Sequence, residues 1–166
     1  MTKASERAVV PSPIGNILLE TDGASLTAVR LAVEEPAAAP RGELLRTAAR
    51  EVEEYFAGGR REFSVPLRLP EGSTDFQRRA WEALARIPFG STRTYGELAR
   101  ELATSPRAVG GACARNALPL VIPCHRVVAK QGLGGFAGHW ETGMALDVKK
   151  VLLELEAKGS TGPASS

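Results

Sequence analysis

The chain has 166 residues, a formal net charge of +2 and a hydrophobic fraction of 43%. This length supports one hydrophobic core, or two small ones, without metals or disulfides. The two cysteines and two histidines match no zinc-finger spacing, and no apolar run approaches the ~18 residues of a membrane span, so we expect no metal site and no membrane. The weakly basic charge is compatible with a polyanionic partner. Without a basic-then-apolar leader, a cytoplasmic protein with reduced thiols is expected.

Residues 1–70 are predicted to form an N-terminal α/β lobe, a small antiparallel sheet packed on one helix. Short apolar runs separated by turn residues predict its strands: Val9–Val10, Ile17–Leu19, Leu26–Val33 and Phe63–Leu67. Apolar residues at helical spacing predict a helix over Glu43–Phe56, with Gly58 and Gly59 as its stop. No residue pattern in this lobe indicates an active site.

Residues 74–157 are predicted to form a second, helical domain. Thr74 and Thr94 are each followed three residues later by Gln or Glu, a capping box that marks the start of a helix. Ser105 and Pro106 supply an N-cap and a first-turn proline for a further helix. Two short helices joined by a tight turn predict a helix-turn-helix. The small, polar residues 158–166 are expected to be a flexible tail.

The helix predicted over Pro106–Arg115 is poor in bulky residues, with glycine and alanine in its interior and an arginine near each end. Each interior glycine costs ~1 kcal/mol relative to alanine, so something must compensate. Small residues let a helix approach a nucleic-acid backbone closely, and they also favour tight packing between helices. The composition of the helix leaves both explanations open and slightly favours packing.

A cysteine next to a histidine is the most informative feature of the sequence. Cys124 and His125 follow the apolar run Leu120–Ile122, which is predicted to be a short buried strand. A nucleophilic sulfur must be a thiolate, and a free thiol with a pKa of ~8.5 needs a base or a positive charge nearby. His125 is the candidate base, although neighbours on a strand point in opposite directions, so contact requires a turn or a bridging water. An isolated Cys-His pair is ordinarily a buried structural cysteine.

The order of motifs over residues 74–156 resembles that of the O6-alkylguanine-DNA alkyltransferases. The matching blocks are Phe76–Trp81, Ile87–Gly90, Tyr95–Ala99, Arg107–Ala112, Asn116, Pro123–Val128 and Leu152–Glu156. The first part, with Ser12–Gly15 near its start, resembles the N-terminal lobe of that family more loosely. The resemblance implies an α+β protein, in which a ribonuclease H-like lobe precedes a winged helix-turn-helix-like domain that carries the cysteine motif.

This resemblance implies DNA repair by direct, irreversible and stoichiometric reversal of damage. Cys124 would take an alkyl group from O6 of guanine in an SN2 step, and O4-alkylthymine is left open as a second substrate. His125 would relay the thiol proton through water, held by Glu156. Tyr95 would donate a hydrogen bond toward the guanine, and Asn116 would fix the turn that carries the cysteine. Because the damaged DNA supplies the alkyl group, no cofactor is expected.

The resemblance also implies binding to double-stranded DNA that contains O6-alkylguanine. The target base would rotate out of the duplex and Arg107 would take its place in the stack, with the glycine-rich helix in the minor groove. The residues expected to bind DNA are Thr94, Arg107, Ala108, Gly110, Gly111, Arg115 and Lys130. The residues expected to line the substrate pocket are Tyr95, Pro119, Val127 and Phe136. A monomer is expected in solution, with self-association along DNA left open.

Some residues depart from the family pattern. Phe136 stands where the family usually has a tyrosine, which retains stacking on the guanine and loses a hydroxyl contact. The loop 138–145 is longer than usual and is expected to pack on the surface. Cys113 is expected to be a core thiol, and Arg126 is expected to form a structural ion pair rather than a DNA contact.

Three other functions remain to be separated from the alkyltransferase. A non-catalytic sensor of alkylated DNA would share the fold and lack the acceptor cysteine, and the presence of Cys124 argues against it. A winged helix-turn-helix regulator would bind an undamaged sequence regardless of Cys124. A thiol hydrolase would use Cys124 and His125 for many turnovers.

Overall fold

The structure is a computed structural model that describes residues 6–130 and 143–161. The chain divides into two compact units, one ending at Glu71 and the other beginning at Gly72. The predicted α+β class is confirmed, with the sheet in the first unit and closely spaced helices in the second. Within the described residues, no helix is both long enough and apolar enough to cross a membrane.

The first unit contains a three-stranded antiparallel sheet and one helix. Its elements are β1 (Glu6–Val10), β2 (Asn16–Thr21), β3 (Leu26–Val33) and α1 (Glu43–Phe56). The central strand β2 pairs with both neighbours, so that Leu19 lies opposite Ala8 on one side and Val29 on the other. Between β2 and β3, the carboxylate of Asp22 accepts hydrogen bonds from the backbone N–H groups two and three residues later. The first three of the four predicted strands are therefore confirmed.

The segment Phe63–Leu67, predicted to be a fourth strand, is not one. It makes a single isolated bridge between Leu67 and Leu26. Pro66 has no backbone N–H to donate to a ladder, and both the backbone N–H and the hydroxyl of Ser64 donate to Glu51 of α1 instead. The prediction failed because a buried carboxylate on the helix competes for the donors that a strand would use.

The second unit is mainly helical. Its elements are α2 (Asp75–Ala85), β4 (Arg93–Thr94), α3 (Tyr95–Glu101), α4 (Pro106–Ala114), a 3₁₀ helix (Cys124–Arg126), β5 (Val127–Val128) and α5 (Gly143–Thr161). Both capping boxes are present, and the Ser105 hydroxyl accepts a hydrogen bond from Ala108 N at 3.2 Å. Helix α4 packs against α3 and α2, which forms the predicted helix-turn-helix.

Helix α4 is stabilised partly by a contact that its composition did not indicate. The indole N–H of Trp81 donates to the backbone carbonyl of Ala112 at 2.9 Å, in the interior of the unit. Val109, Ala112 and Cys113 are buried against the neighbouring helices. Packing thus accounts for one face of α4, and Cys113 is a core residue as predicted.

The last described helix, α5, extends into the segment that was predicted to be a flexible tail. Helix α5 continues to Thr161, so residues 158–161 are helical and do not belong to a flexible tail. At Gly159 the helix packs closely on the side chain of Phe89. A Cβ atom at this position would lie 3.0 Å from the Phe89 ring. A glycine that looks like a helix terminator is here a packing residue.

Candidate active site and DNA-facing cleft

A tight turn between α4 and the 3₁₀ helix positions Cys124, where the sequence predicted a strand. The side chain of Asn116 accepts from Leu118 N and donates to the carbonyl of Ile122, both at 2.9 Å. Ile122 N donates in turn to the carbonyl of Leu118 at 2.8 Å, and Leu120 at the apex has a φ of +78°. A leucine in the left-handed region costs on the order of 1–3 kcal/mol, so the turn persists because the buried amide of Asn116 fixes it.

The turn places Cys124 at the start of the 3₁₀ helix with only 2% of its surface exposed. Burial raises the pKa of its thiol to about 11, against the opposing effects of a hydrogen bond with Asn116 and of the positive charge on Lys149. The thiol is therefore almost fully protonated at neutral pH. A reaction that uses this sulfur as a nucleophile needs a base that removes its proton.

The next residue, His125, is fully buried and belongs to a network of hydrogen bonds centred on the carboxylate of Glu156. Its Nε2 lies 2.6 Å from a carboxylate oxygen of Glu156 on α5. The guanidinium of Arg126 contacts both oxygens of the same carboxylate, at 2.8 and 3.1 Å, and also donates to the carbonyl of Ile87 at 2.6 Å. Gly90 N donates to the carboxylate at 3.2 Å. Arg126 thus forms the structural ion pair that its sequence context predicted.

The contact with Glu156 fixes the state of the His125 ring. A carboxylate accepts hydrogen bonds, so Nε2 carries the proton and Nδ1 is left with a free lone pair. Nδ1 is buried and has no hydrogen-bond partner among residues 6–130 and 143–161. Burial lowers the pKa of His125, an effect that Glu156 opposes and that Arg126 and Lys149 reinforce. The ring is therefore a neutral base at physiological pH.

Two further side chains lie close to this network, and the sequence pointed to only one of them. Tyr95, the first residue of α3, is buried, and its burial raises the pKa of the phenol, reinforced by Cys113 and Cys124, so that it remains a hydrogen-bond donor. Lys149 on α5 is fully buried, with its Nζ 5.6 Å from the centroid of the Tyr95 ring. The sequence around Lys149 does not indicate that this lysine is buried, so the sequence analysis did not identify it.

A cleft of about 760 Å³ opens beside these residues, along α3 and α4. The described residues that line it are Tyr95, Gly96, Pro106, Arg107, Gly110, Gly111, Ala114, Ala129 and Lys130. Most of them are small, and the two cationic side chains lie at exposed positions. Tyr95 belongs both to this cleft and to the buried groups around Cys124. Both glycines of α4 thus line the cleft, although Gly110 is itself buried.

The residues predicted to bind DNA fall into two groups. Arg107, Gly110, Gly111 and Lys130 line the cleft, whereas Thr94, Ala108 and Arg115 are not among its described lining. The Thr94 hydroxyl accepts from the backbone of Glu97 as the cap of α3. Arg115 folds back onto its own helix and donates to the carbonyl of Gly111 at 3.3 Å. Both side chains therefore have structural roles besides any DNA contact.

Of the four residues predicted to line the substrate pocket, Tyr95 lines the cleft, while Pro119 and Val127 are buried and lie outside its described lining. Phe136 and most of the loop 138–145 lie outside the described residues. The roles of these residues in a pocket remain predictions. Across the described parts of the chain, no three His, Cys, Asp or Glu side chains are grouped so that they could hold a metal ion.

Comparison with known protein families identifies the family of the chain. Residues 75–158 match the DNA-binding domain of 6-O-methylguanine DNA methyltransferase, and residues 7–69 match its ribonuclease-like domain. The chain belongs to the 6-O-methylguanine DNA methyltransferase family. The two matched segments coincide with the two compact units of the fold.

Individual relatives extend over nearly the whole chain. A methylated-DNA–protein-cysteine methyltransferase of Methanosarcina acetivorans is 42% identical over 158 residues, which cover 90% of this chain and 96% of that protein. The crystal structure of Mycobacterium tuberculosis O6-methylguanine methyltransferase superimposes with a TM-score of 0.81 at 36% identity, covering 98% and 97% of the two chains. A structure of Mycobacterium tuberculosis OGT in complex with DNA gives a TM-score of 0.78 at 37% identity, covering 92% and 93%.

Proposed function

We propose that this protein repairs DNA by moving the alkyl group of O6-alkylguanine onto Cys124. Transfer of an alkyl group from DNA to a protein cysteine is the activity of the family to which the chain belongs. The observation that carries the assignment to Cys124 is the buried base beside it, since the lone pair of His125 Nδ1 is held available by the bond from Nε2 to Glu156. The other cysteine, Cys113, has its thiol pKa raised further by burial and lies on the packed face of α4.

The step proceeds as a displacement at the alkyl carbon. His125 Nδ1 takes the proton of the Cys124 thiol through a water, and the sulfur lone pair attacks the carbon as the bond from carbon to O6 breaks. The electron pair of that bond goes to the guanine, which takes up a proton as it leaves. The phenol of Tyr95, kept protonated by burial, donates a hydrogen bond toward the guanine. The products are guanine in DNA and a thioether on Cys124.

The thioether does not react with water or small thiols, so each molecule acts once. The alkyl group comes from the substrate, and the reaction needs no cofactor. The nucleophile must stay reduced, which fits a cytoplasmic location.

Base flipping supplies the access that a buried thiol needs. An alkylated guanine within a duplex cannot reach Cys124, so the nucleotide must rotate out of the stack at a cost of a few kcal/mol. The cleft along α3 and α4 supports this proposal, because its small side chains allow a close approach of the DNA backbone. Arg107, exposed at the start of α4, would fill the gap in the duplex, and Lys130, which also lines the cleft, would contact phosphate. A monomer in solution is sufficient for this chemistry.

The assignment is tested by the mass of the intact protein after incubation with a duplex containing O6-methylguanine, followed by peptide mapping. We expect one methyl group per molecule, on the peptide that contains Cys124. Cys124→Ala should transfer nothing, while the matched variant Cys113→Ala should still be methylated. Methylation of Cys113, or of no cysteine, would overturn the assignment.

Two alternatives give different outcomes in the same experiments. A thiol hydrolase would turn over an ester many times, whereas the alkyltransferase is consumed at a molar ratio of one. A sequence-specific regulator would bind an undamaged site as tightly as the damaged duplex and would bind it equally well after Cys124→Ala.

A further inference from the structure

The loop between α2 and β4 contacts both members of the buried ion pair beside the proposed base. The carbonyl of Ile87 accepts a hydrogen bond from Arg126 at 2.6 Å, and Gly90 N donates to Glu156 at 3.2 Å. Backbone groups make both contacts, so they do not depend on which side chains the loop carries. Phe89 lies between Ile87 and Gly90 in the chain, and its side chain adds two contacts of its own.

The ring of Phe89 connects the guanidinium of Arg126 to the last part of α5. The Cζ atom of Arg126 lies over the ring, 5.8 Å from its centroid, a distance at which the electrons of the ring attract a cation. On α5, a Cβ atom at Gly159 would lie 3.0 Å from two carbons of the same ring. Because that distance is shorter than an ordinary van der Waals contact, a residue larger than glycine would push the ring or the helix aside.

The position of the ring affects the carboxylate that holds the base. Gly159 follows Glu156 by three residues, and residues three apart lie next to each other on one side of a helix. The carboxylate of Glu156 therefore moves with the part of α5 that packs on Phe89. Arg126 contacts both oxygens of that carboxylate, at 2.8 and 3.1 Å. A shift of the ring would thus reach Glu156 by two routes, through the helix and through the guanidinium.

The ring also limits the contact of the ion pair with water. Phe89 is half-buried, whereas the side chains of Arg126 and Glu156 are only 8% and 1% exposed. A ring over the guanidinium replaces solvent, and the attraction between two charges is stronger where the local dielectric is low. A shorter aliphatic side chain in place of Phe89 would weaken the ion pair as well as loosen its packing.

We propose that Phe89 is a positioning residue for the transfer reaction. Its ring holds the ion pair of Arg126 and Glu156 in place, and that ion pair orients the base, His125, whose Nε2 lies 2.6 Å from the carboxylate. Gly159 must be small for the ring to take this position. The role rests on the proposed function, because the orientation of the base affects the rate only if the base takes the proton of the acceptor thiol.

The test combines substitutions at the two contacting positions in the full-length protein. Phe89→Leu removes the ring, Gly159→Ala adds a methyl group against it, and the double variant carries both changes. Phe63→Leu is the matched control, because Phe63 is also half-buried and packs on a ring, that of Tyr55, in the other unit. Single-turnover methyl transfer over a range of duplex concentrations separates the maximal rate constant from the concentration that gives half of it. Urea unfolding of the same samples measures stability.

We expect Phe89→Leu and Gly159→Ala each to lower the maximal transfer rate about tenfold, because a small displacement of a reacting group slows a positioned reaction strongly. The half-saturating duplex concentration should stay within about twofold of wild type, since Phe89 is not among the described residues that line the cleft. In the double variant the added methyl group has no ring to displace, so it should slow transfer by less than about twofold beyond Phe89→Leu. Phe63→Leu should lower stability and leave both transfer parameters unchanged.

Gly159→Ala separates positioning from stability, and it serves also if Phe89→Leu does not fold. Alanine favours a helix more than glycine does, which opposes the destabilising effect of the contact with the ring. The urea midpoint of Gly159→Ala should therefore fall less than that of Phe89→Leu, although both lose a similar part of the transfer rate. A wild-type transfer rate in either single variant, or effects that multiply in the double variant, would overturn the proposal and leave Phe89 a packing residue.

A measurement without DNA separates this proposal from the proposed function. In protein labelled with nitrogen-15 at its two histidines, the NMR signals of the His125 ring report which nitrogen carries the proton, and His139→Gln assigns them. We expect the proton on Nε2 in the wild type and a smaller share of this form in Phe89→Leu and Gly159→Ala. Unchanged His125 signals in both variants would refute the role of Phe89 alone. Absence of methyl transfer by the wild type would instead refute the proposed function.

Discussion

Among the described residues, each of the two compact units buries one glutamate almost completely, and the two glutamates differ in their hydrogen-bond and ion-pair partners. In the first unit, Glu51 accepts from the backbone and hydroxyl of Ser64 and pairs with Arg60 at 3.1 Å, all within a short stretch of chain. In the second unit, Glu156 joins His125 and Arg126, which precede it by about thirty residues. Both carboxylates are 1% exposed.

The difference shows what converts a buried carboxylate from a structural group into part of an active site. The partners of Glu51 are a hydroxyl, a backbone N–H and a guanidinium, none of which changes protonation near neutral pH. Glu156 has a guanidinium as well, and in addition an imidazole that can take up a proton at its other nitrogen. One titratable partner, oriented by the carboxylate, makes the second network chemically useful.

The largest expected effect separates the two glutamates directly. Glu156→Gln removes the charge that orients His125 and leaves the Arg126 guanidinium buried without a counter-charge, which should slow methyl transfer by about 100-fold and cost roughly 3–5 kcal/mol of unfolding free energy. Glu51→Gln should lower the unfolding free energy and leave the transfer rate within about twofold of wild type. Single-turnover rates on a methylated duplex and urea unfolding measure both quantities. Equal losses of transfer rate in the two variants would show that Glu156 has no greater role in the reaction than Glu51.

The arginines that face the two glutamates give the next largest difference. Arg126→Met leaves Glu156 buried without its cation and should cost about 3 kcal/mol, whereas the side chain of Arg60 is 28% exposed and Arg60→Met should cost about 1 kcal/mol. Because the charge of Arg126 lowers the pKa of His125, its removal should raise that pKa and make transfer fall more steeply as the pH drops from 7.5 to 6. An unchanged pH profile in Arg126→Met would show that this arginine only stabilises the fold.

A matched pair of asparagines tests the turn that carries the cysteine. Asn116→Ala should cost about 2–3 kcal/mol, because it leaves Leu118 N buried without a partner and leaves the carbonyl of Ile122 with only the hydrogen bond from Cys124 N. Asn16→Ala removes one exposed hydrogen bond to the carbonyl of Glu35 and should cost below about 1 kcal/mol. Calorimetric unfolding measures both, and the transfer rate should fall only in Asn116→Ala. Comparable stability losses would mean that the turn is held by the chain around it rather than by Asn116.

The smallest expected effect is the response of the wild type to mild acid. A base with a pKa of 6.5 would be half protonated at pH 6.5 and would slow transfer twofold relative to pH 7.5. Burial lowers the pKa of His125 below that value, so the ring stays unprotonated and the rate should fall by less than about twofold. A rate that halves or worse by pH 6.5 would indicate that Glu156 outweighs burial in setting this pKa.

Local rules predicted much of the fold. The bounds of α1 agree with the periodicity of its apolar residues, and the three N-caps of the second unit lie at the predicted residues, since capping depends on side chains within three positions of the helix start. The strand at Phe63–Leu67 was wrong because Glu51 takes the hydrogen bonds of Ser64. The strand at Leu120–Ile122 was wrong because Asn116 closes a turn there.

By itself, the sequence determined the starts of the helices and the ordered motifs that carry the family resemblance, because both depend on short-range spacing. Only the tertiary structure decided that the free nitrogen of His125 is buried, that Arg126 and His125 share one carboxylate, and that Lys149 lies over Tyr95. These contacts join elements far apart in the chain, and the burial that sets their pKa values belongs to the packed molecule rather than to any segment of it.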